Sequence, residues 1–215
     1  MYEFARGPMV WLGFAVFFGG LIYRIIAVVR QGREDKVVHP YLSFKFGMRS
    51  MIRWLIPYST VNMRLRPVFT VVSFLFHICL LITPLLVLGH VMSFKESWGI
   101  SWWHLPENLA TVMTFIVVIG GIIFGLRRIA DPTVRYVSTY RDFLILAVVL
   151  APYITGLMAV FQVFDYQAVI TAHILSGVLW LIVIPFTRLV HMLFFPFTRA
   201  YMGSEFGFVR NSKDW

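Results

Sequence analysis

Five apolar segments constrain what this chain of 215 residues can fold into. A helix that crosses the hydrocarbon core of a bilayer needs about 20 predominantly apolar residues. The composition agrees, because 59% of the residues are hydrophobic and only 13% are charged, whereas about 25% are charged in a typical soluble domain. We therefore predict an all-α membrane protein, a five-transmembrane-helix bundle forming a single domain over residues 1–215. The predicted spans are about 8–29, 67–92, 108–126, 142–163 and 168–196.

The basic residues predict how these spans are oriented. The chain has 19 lysines and arginines, and 17 of them lie at the end of the first, third or fifth span or in the segment that follows it. The two exceptions are Arg6 and Lys95. Cytoplasmic segments of membrane proteins carry an excess of Lys and Arg. We therefore expect the N-terminus outside and the C-terminus in the cytoplasm. Five spans agree with this, because an odd number of spans places the two termini on opposite sides. The net charge of +9 is then a topology signal, and no nucleic-acid partner is expected.

The first cytoplasmic segment contains a second helical pattern, at about residues 41–56. Lys45, Arg49 and Arg53 recur every four residues, which places them on one face of a helix. Apolar residues flank this basic stripe. We expect an amphipathic helix at the membrane surface, which either anchors the segment to lipid or provides a docking surface for a cytoplasmic partner.

Four of the six histidines lie inside the second and fifth apolar segments: His77, His90, His173 and His191. An ionisable residue inside a membrane is costly, and its presence usually indicates function. His39 and His104 fall in connecting segments and receive no role. The confinement of four imidazoles to two spans therefore predicts a functional site.

The spacing of these histidines predicts two pairs. In a continuous helix, His173 and His191 are separated by five full turns, so they point to one side at about 27 Å along the axis. Because the second and fifth spans run antiparallel, His90 is expected opposite His173 near the outer face. His77 is then expected opposite His191 near the inner face. Each pair can supply both axial ligands of a haem, so that two haems carry electrons across the bilayer.

The neighbouring residues bear on this haem hypothesis. Gly89, Ser176 and Gly177 are small enough to let a large flat cofactor approach the backbone. His77 and His90, in contrast, do not share a face of an ideal helix. Pro84 lies between them, and we expect it to kink or unwind the helix and thereby direct both imidazoles inward.

At these residues the chain resembles the γ-subunit family of respiratory nitrate reductase, which comprises five-span, di-haem b-type cytochromes. The matching stretches cover most of the membrane core and are FLFHICLL (74–81), LGHV (88–91), DFLILAVVLAPYITGL (142–157) and HILSGVLWLIVIPFTRLVH (173–191). The resemblance implies that His77, His90, His173 and His191 ligate two haem b groups with the pairing given above. Arg188 is expected either to pair with a propionate of the inner haem or to anchor the helix at the interface.

The same family includes the cytochrome b subunits of transmembrane redox complexes of sulfate reducers. The opening stretch MYEFARGPMVWLGFAVFFGG is more similar to that branch. The resemblance implies an electron-transfer subunit of an oxidoreductase complex in the bacterial cytoplasmic membrane, active in anaerobic respiration. Its expected partners are the quinone pool or a periplasmic multihaem cytochrome c, other periplasmic or membrane subunits, and a cytoplasmic iron–sulfur subunit.

A menaquinone site is a further expectation. Polar candidates for it lie near the outer end of the fourth span, at Tyr153, Gln162 and Asp165, although each of them is equally suited to completing the helix end. The nitrate reductase members carry a lysine near the start of the third span, beside their quinone site. This chain has Asn108 and Leu109 there.

Three alternatives remain open at the level of the sequence. The first is a transporter or proton channel that uses the histidines as a relay and binds no haem. The second is a structural anchor without cofactors. The third is a cytochrome that holds one haem only, if Pro84 does not align the second span.

Overall fold

The computed structural model describes residues 1–215, and its secondary structure is helical without a β-strand. The prediction of five spans is confirmed, because five helical stretches are long and apolar enough to cross a membrane. The chain is therefore built as a multi-pass membrane protein. These stretches are Tyr2–Glu34, Pro67–Trp98, Glu107–Ala130, Tyr140–Val160 and Tyr166–Phe186.

The α-helices, which include shorter ones outside these stretches, are numbered here in chain order. A π-helical turn, Ala5–Met9, joins the first two. The helices are α1 (Tyr2–Phe4), α2 (Val10–Glu34), α3 (Phe44–Leu55), α4 (Val61–Leu65), α5 (Pro67–Leu86), α6 (Leu88–Trp98), α7 (Glu107–Ala130), α8 (Pro132–Tyr136), α9 (Tyr140–Val160), α10 (Tyr166–Val183) and α11 (His191–Ser204).

The chain, expected as one domain, divides into two compact units. The first unit comprises Met1–Val10 and Val72–Trp180, and the second comprises Trp11–Val71 and Leu181–Trp215. The second and fifth predicted spans therefore each contribute to both units. This division matters for the histidines, since His77, His90 and His173 belong to the first unit and His191 belongs to the second.

In the core of the first unit, glycines of α7 pack against neighbouring helices. A Cβ on Gly120 would lie 3.0 Å from the ring of Phe76, which leaves little room for any side chain other than hydrogen. Small residues let the backbones of membrane helices approach closely. Val117, one turn earlier on α7, is completely buried.

The continuous helix expected over residues 168–196 is wrong. Helix α10 ends at Val183, a 3₁₀ turn covers Ile184–Phe186, and Thr187 is extended with φ −125° and ψ −175°. Pro185 explains the interruption, because proline has no N–H for the helical ladder and its ring clashes with the preceding turn. His191 begins the separate helix α11, so the five-turn relationship between His173 and His191 does not hold.

The amphipathic helix expected near residues 41–56 is present as α3, and one of its faces packs against α11. Gly47 and Ser50 are buried on that face, and the backbone N–H of Ser43 donates to the hydroxyl of Ser204 at 3.0 Å. Away from that face, Phe44 is 85% exposed, and Leu55 is exposed on the same side. One side of helix α3 therefore packs within the second unit, and another side is exposed.

Residues 214 and 215 close over the packed face of α3. The guanidinium of Arg49 lies 4.5 Å from the ring of Trp215 and 4.6 Å from the ring of Phe46. Its Nε and Nη2 atoms are buried without a hydrogen-bond partner. The two aromatic faces are therefore the groups that stabilise this charge, through cation–π attraction.

Candidate functional site

The structure brings His90 and His173 together inside the first unit. Their ring centroids lie 5.9 Å apart and their ring planes are inclined by 24°. Both residues are half-buried. The two imidazoles come from α6 and α10, as the antiparallel pairing of the second and fifth spans anticipated.

A break in the second span places His90. Helix α5 ends at Leu86 and α6 begins at Leu88, because Val87 has an extended backbone with ψ 134°. The break leaves the carbonyl of Pro84 accessible, and Nδ1 of His90 donates to it at 2.7 Å. The interruption expected near Pro84 is thus observed three residues after it, and it holds the imidazole by a backbone acceptor.

A second carbonyl without a helical donor lies one turn before Pro84. Because Pro84 has no N–H, the carbonyl of Leu80 lacks its helical donor. The hydroxyl of Tyr153 in α9 donates to that oxygen at 2.6 Å. Tyr153 is only 5% exposed, so this bond is made in an apolar environment where an unsatisfied carbonyl costs several kcal/mol.

The segment between α6 and α7 satisfies the remaining carbonyls at the break. The indole Nε1 of Trp102 donates to the carbonyl of Leu85 at 2.8 Å, and the backbone N–H of Leu105 donates to the carbonyl of Leu86 at 2.8 Å. Trp102 thus stabilises the break that positions His90.

His173 is held by groups on α9. Its Nδ1 donates to the carbonyl of Pro152 at 2.9 Å and lies 3.3 Å from the hydroxyl oxygen of Thr155. Gly156 provides the space for the ring, since a Cβ there would lie 3.3 Å from Cε1 and 3.5 Å from Nδ1 of His173. Three residues of one helix turn therefore fix the orientation of this imidazole.

The other two histidines show the same backbone pattern. Nδ1 of His77 lies 2.7 Å from the carbonyl of Ser73, and Nδ1 of His191 lies 2.7 Å from the carbonyl of Arg188. A carbonyl oxygen only accepts hydrogen bonds, so in all four histidines Nδ1 carries the proton. Metal-ligating histidine typically donates its other ring N–H in this way and ligates through Nε2.

The pairing of His77 with His191 stays a prediction. His77 belongs to the first unit and His191 to the second, and both residues are exposed. Arg188 lies in the 3₁₀ turn Arg188–Val190, and its carbonyl binds the ring of His191. The expected pairing of its guanidinium with a haem propionate also stays a prediction.

The residues around His90 and His173 fit a haem. A porphyrin supplies four of the iron's ligands, so the protein needs only two, and the chain has no group of three or more His, Cys, Asp or Glu residues suited to a metal ion. A Cβ on Gly89 or Gly177 would meet no protein atom within 4 Å, so the backbone beside both ligands is open to a flat group.

The expected quinone candidates have other partners in the structure. The hydroxyl of Tyr153 is bonded to Leu80, and the carboxylate of Asp165 accepts from the backbone N–H of Ala168 at 2.8 Å near the start of α10. Gln162 is exposed, with a positive φ of 51°. Tyr153 and Asp165 therefore complete helix ends and breaks, which is the alternative role given to them above.

Sequence reasoning missed Thr155 and Gly156 as neighbours of His173. Pro152, Thr155 and Gly156 are spaced three and four residues apart, which places them on one face of α9. That spacing, in the stretch APYITGL, is the signal that would have identified them. Nothing in the sequence shows that this face turns toward His173 rather than toward lipid.

No family model matches this sequence. The chain is similar to a protein of Nitratidesulfovibrio vulgaris (strain Hildenborough) that is described only as "Protein". The two are 40% identical over 215 residues, which cover 98% of this chain and 95% of the relative. The chain therefore belongs to the same protein family as this relative from Nitratidesulfovibrio vulgaris.

Proposed function

We propose that the chain is a membrane cytochrome b that holds two haems by histidine pairs and transfers electrons from one face of the membrane to the other. It acts as the membrane subunit of an oxidoreductase complex and forms no complete enzyme by itself. Its partners are the quinone pool or a periplasmic cytochrome c on one side and an iron–sulfur subunit in the cytoplasm on the other. The assignment rests on the histidines and on the family resemblance of the surrounding stretches.

The observation that carries the proposal is the His90–His173 pair, in which each imidazole lies in an apolar span and donates Nδ1–H to a backbone carbonyl. His77, in the second span, and His191, beyond the end of the fifth, make the same kind of bond. The arrangement fixes one tautomer and leaves Nε2 as a metal ligand. For His90 and His173, the two rings also lie beside each other.

The role of the protein follows from these contacts. Bound haem supplies the one-electron redox chemistry. The chain supplies imidazole ligands, and it orients them through the carbonyls of Pro84 and Pro152. The apolar spans exclude water from the path between the two faces.

The rival function is a transporter or proton channel that uses the histidines without haem. A proton relay inside a membrane commonly combines histidine with Asp or Glu. The acidic residues of the five spans all lie within a few residues of a span end: Glu3, Glu34, Glu96, Glu107 and Asp142. The interior of the spans therefore offers no acidic partner, which favours the cytochrome.

The proposal is tested by measuring the haem content of the full chain purified in detergent from a host supplied with haem. Reduced-minus-oxidised spectra would be compared for the wild type and for alanine variants of His77, His90, His173 and His191. His104→Ala is the matched control, since His104 is an exposed histidine outside the spans. We expect two b-type haems in the wild type and in the control.

The pattern of losses distinguishes the functions. We expect His90→Ala and His173→Ala to lose one and the same haem, and His77→Ala and His191→Ala to lose the other. A single haem that survives both His77→Ala and His191→Ala would restrict the cytochrome to one site. A wild-type chain without haem, in a well-folded preparation, would overturn the proposal and favour the transporter.

A further inference from the structure

We infer that Thr155 is a positioning residue for His173 and that its hydroxyl tunes the reduction potential of the haem that His173 ligates. This inference rests on the proposed function and goes beyond it, because it assigns a residue that touches neither iron nor porphyrin. The site concerned is the His90–His173 pair of the first unit.

The Thr155 hydroxyl donates its proton to a backbone carbonyl of its own helix. Oγ1 of Thr155 lies 2.7 Å from the carbonyl of Ala151, one turn earlier in α9. That carbonyl only accepts, so Thr155 is the donor in this bond. Toward His173, at 3.3 Å, the same oxygen therefore presents a lone pair. Nδ1–H of His173 thus has two acceptors, the carbonyl of Pro152 and the hydroxyl of Thr155.

Ser176 holds this arrangement from the other side. Its hydroxyl donates to the carbonyl of His173 at 2.8 Å, and its oxygen lies 3.3 Å from Oγ1 of Thr155. All of these residues are at least half-buried. The Thr155 hydroxyl is therefore enclosed by α9 and α10 and is not free to turn away from the imidazole.

The two histidines of the pair consequently have different surroundings. Nδ1 of His90 has the carbonyl of Pro84 at 2.7 Å, whereas Nδ1 of His173 has a carbonyl and a hydroxyl. A hydrogen-bond acceptor on Nδ1–H raises the basicity of the ligating nitrogen. Greater basicity stabilises the oxidised, more positively charged iron. Removal of one acceptor is therefore expected to raise the reduction potential.

The test compares Thr155→Val, which removes the hydroxyl at nearly constant volume, with Thr155→Ser, which keeps it. Thr114→Val is the matched control, because Thr114 makes the same bond to the carbonyl four residues earlier, at 2.8 Å, in a helix that carries no histidine. The midpoint potentials of both haems would be measured by redox titration of the full chain. The electron paramagnetic resonance signal of each oxidised haem would be recorded in parallel.

We expect Thr155→Val to raise the potential and shift the resonance signal of the haem lost in His173→Ala, while the other haem stays unchanged. Thr155→Ser should restore both values, and Thr114→Val should change neither. Wild-type potentials in Thr155→Val, or an equal shift in Thr114→Val, would overturn the inference and leave the cytochrome intact. A wild-type chain without haem would instead overturn the proposed function, and the inference with it.

Discussion

Tyr153 and Leu80 are joined by a hydrogen bond of 2.6 Å between a phenolic hydroxyl and a backbone carbonyl 73 residues away. The bond exists because Pro84 removes the donor that Leu80 would have in an unbroken helix. It connects α9, which carries the groups around His173, to α5, which leads into the break at His90. The hydrogen bond of Tyr153 therefore links the helix that holds His173 to the helix that leads to His90.

Tyr153→Phe is predicted to destabilise the chain by about 1–3 kcal/mol, since it leaves a buried carbonyl without a donor. The ring and its packing against Trp180, with centroids 6.1 Å apart, are retained. Thermal unfolding in detergent measures the effect. Tyr166→Phe, at an exposed tyrosine, is the control, and equal stability of the two variants would contradict the role of the hydroxyl.

Trp102→Phe is predicted to cost about 0.5–1.5 kcal/mol, the usual net value of one hydrogen bond, because the carbonyl of Leu85 loses its indole donor. The neighbouring Trp103 is 66% exposed and serves as the matched control in Trp103→Phe. Unfolding curves of the two variants would be compared in the same detergent. If the tryptophans acted only as interfacial anchors, both substitutions would have similar effects.

Gly156→Ala is predicted to lower the occupancy of the haem held by His173. The new methyl group would lie 3.3 Å from Cε1 of that imidazole, tighter than ordinary van der Waals contact, so the ring must move away from its acceptors. Gly125→Ala is the control, because its Cβ would meet Leu146 at an unstrained 3.5 Å. Haem-to-protein ratios of the two variants measure the difference, and full occupancy in Gly156→Ala would refute the prediction.

Trp215→Ala is predicted to destabilise the second unit by about 0.5–2 kcal/mol, the range of a cation–π contact at exposed to desolvated sites. The substitution removes one of the two rings that flank the guanidinium of Arg49, whose Nε and Nη2 have no hydrogen-bond partner. Thermal unfolding and limited proteolysis after residue 210 would report the loss. Trp103→Ala is the control for removing an indole, and an identical response would show that the contact contributes nothing.

The charge of Asp214, the residue before Trp215, also contributes to the packing of residues 211–215. Its side chain is 2% exposed and lies 3.7 Å from the guanidinium of Arg199, and it accepts from the hydroxyl of Ser50. Breaking a buried ion pair by removing one partner typically costs about 3–5 kcal/mol, because the other charge stays buried. Since Arg199 is partly exposed, Asp214→Asn is expected to cost less than that range but to release residues 211–215 to protease. Unchanged protease resistance would contradict this.

Local composition was sufficient to predict the number of spans and the presence of His77, His90 and His173 within them. Hydrophobicity and length are properties of each segment by itself, and a run of about 20 apolar residues has few alternatives to a spanning helix. The helical period of α3 was predictable for the same reason, since the spacing of Lys45, Arg49 and Arg53 is a local pattern. The approximate position of the break near Pro84 also followed from one residue's missing N–H.

The assembly of the site depended on contacts that no local pattern contains. The continuous fifth helix was a reasonable extrapolation from hydrophobicity, but Pro185 and the extended backbone of Thr187 end it before His191. The partners of His90 and His173 are backbone carbonyls that become available only where a helix is broken or where another helix packs against it. The position of a proline shows which carbonyl loses its helical donor. The group that replaces this donor depends on packing between residues far apart in the chain.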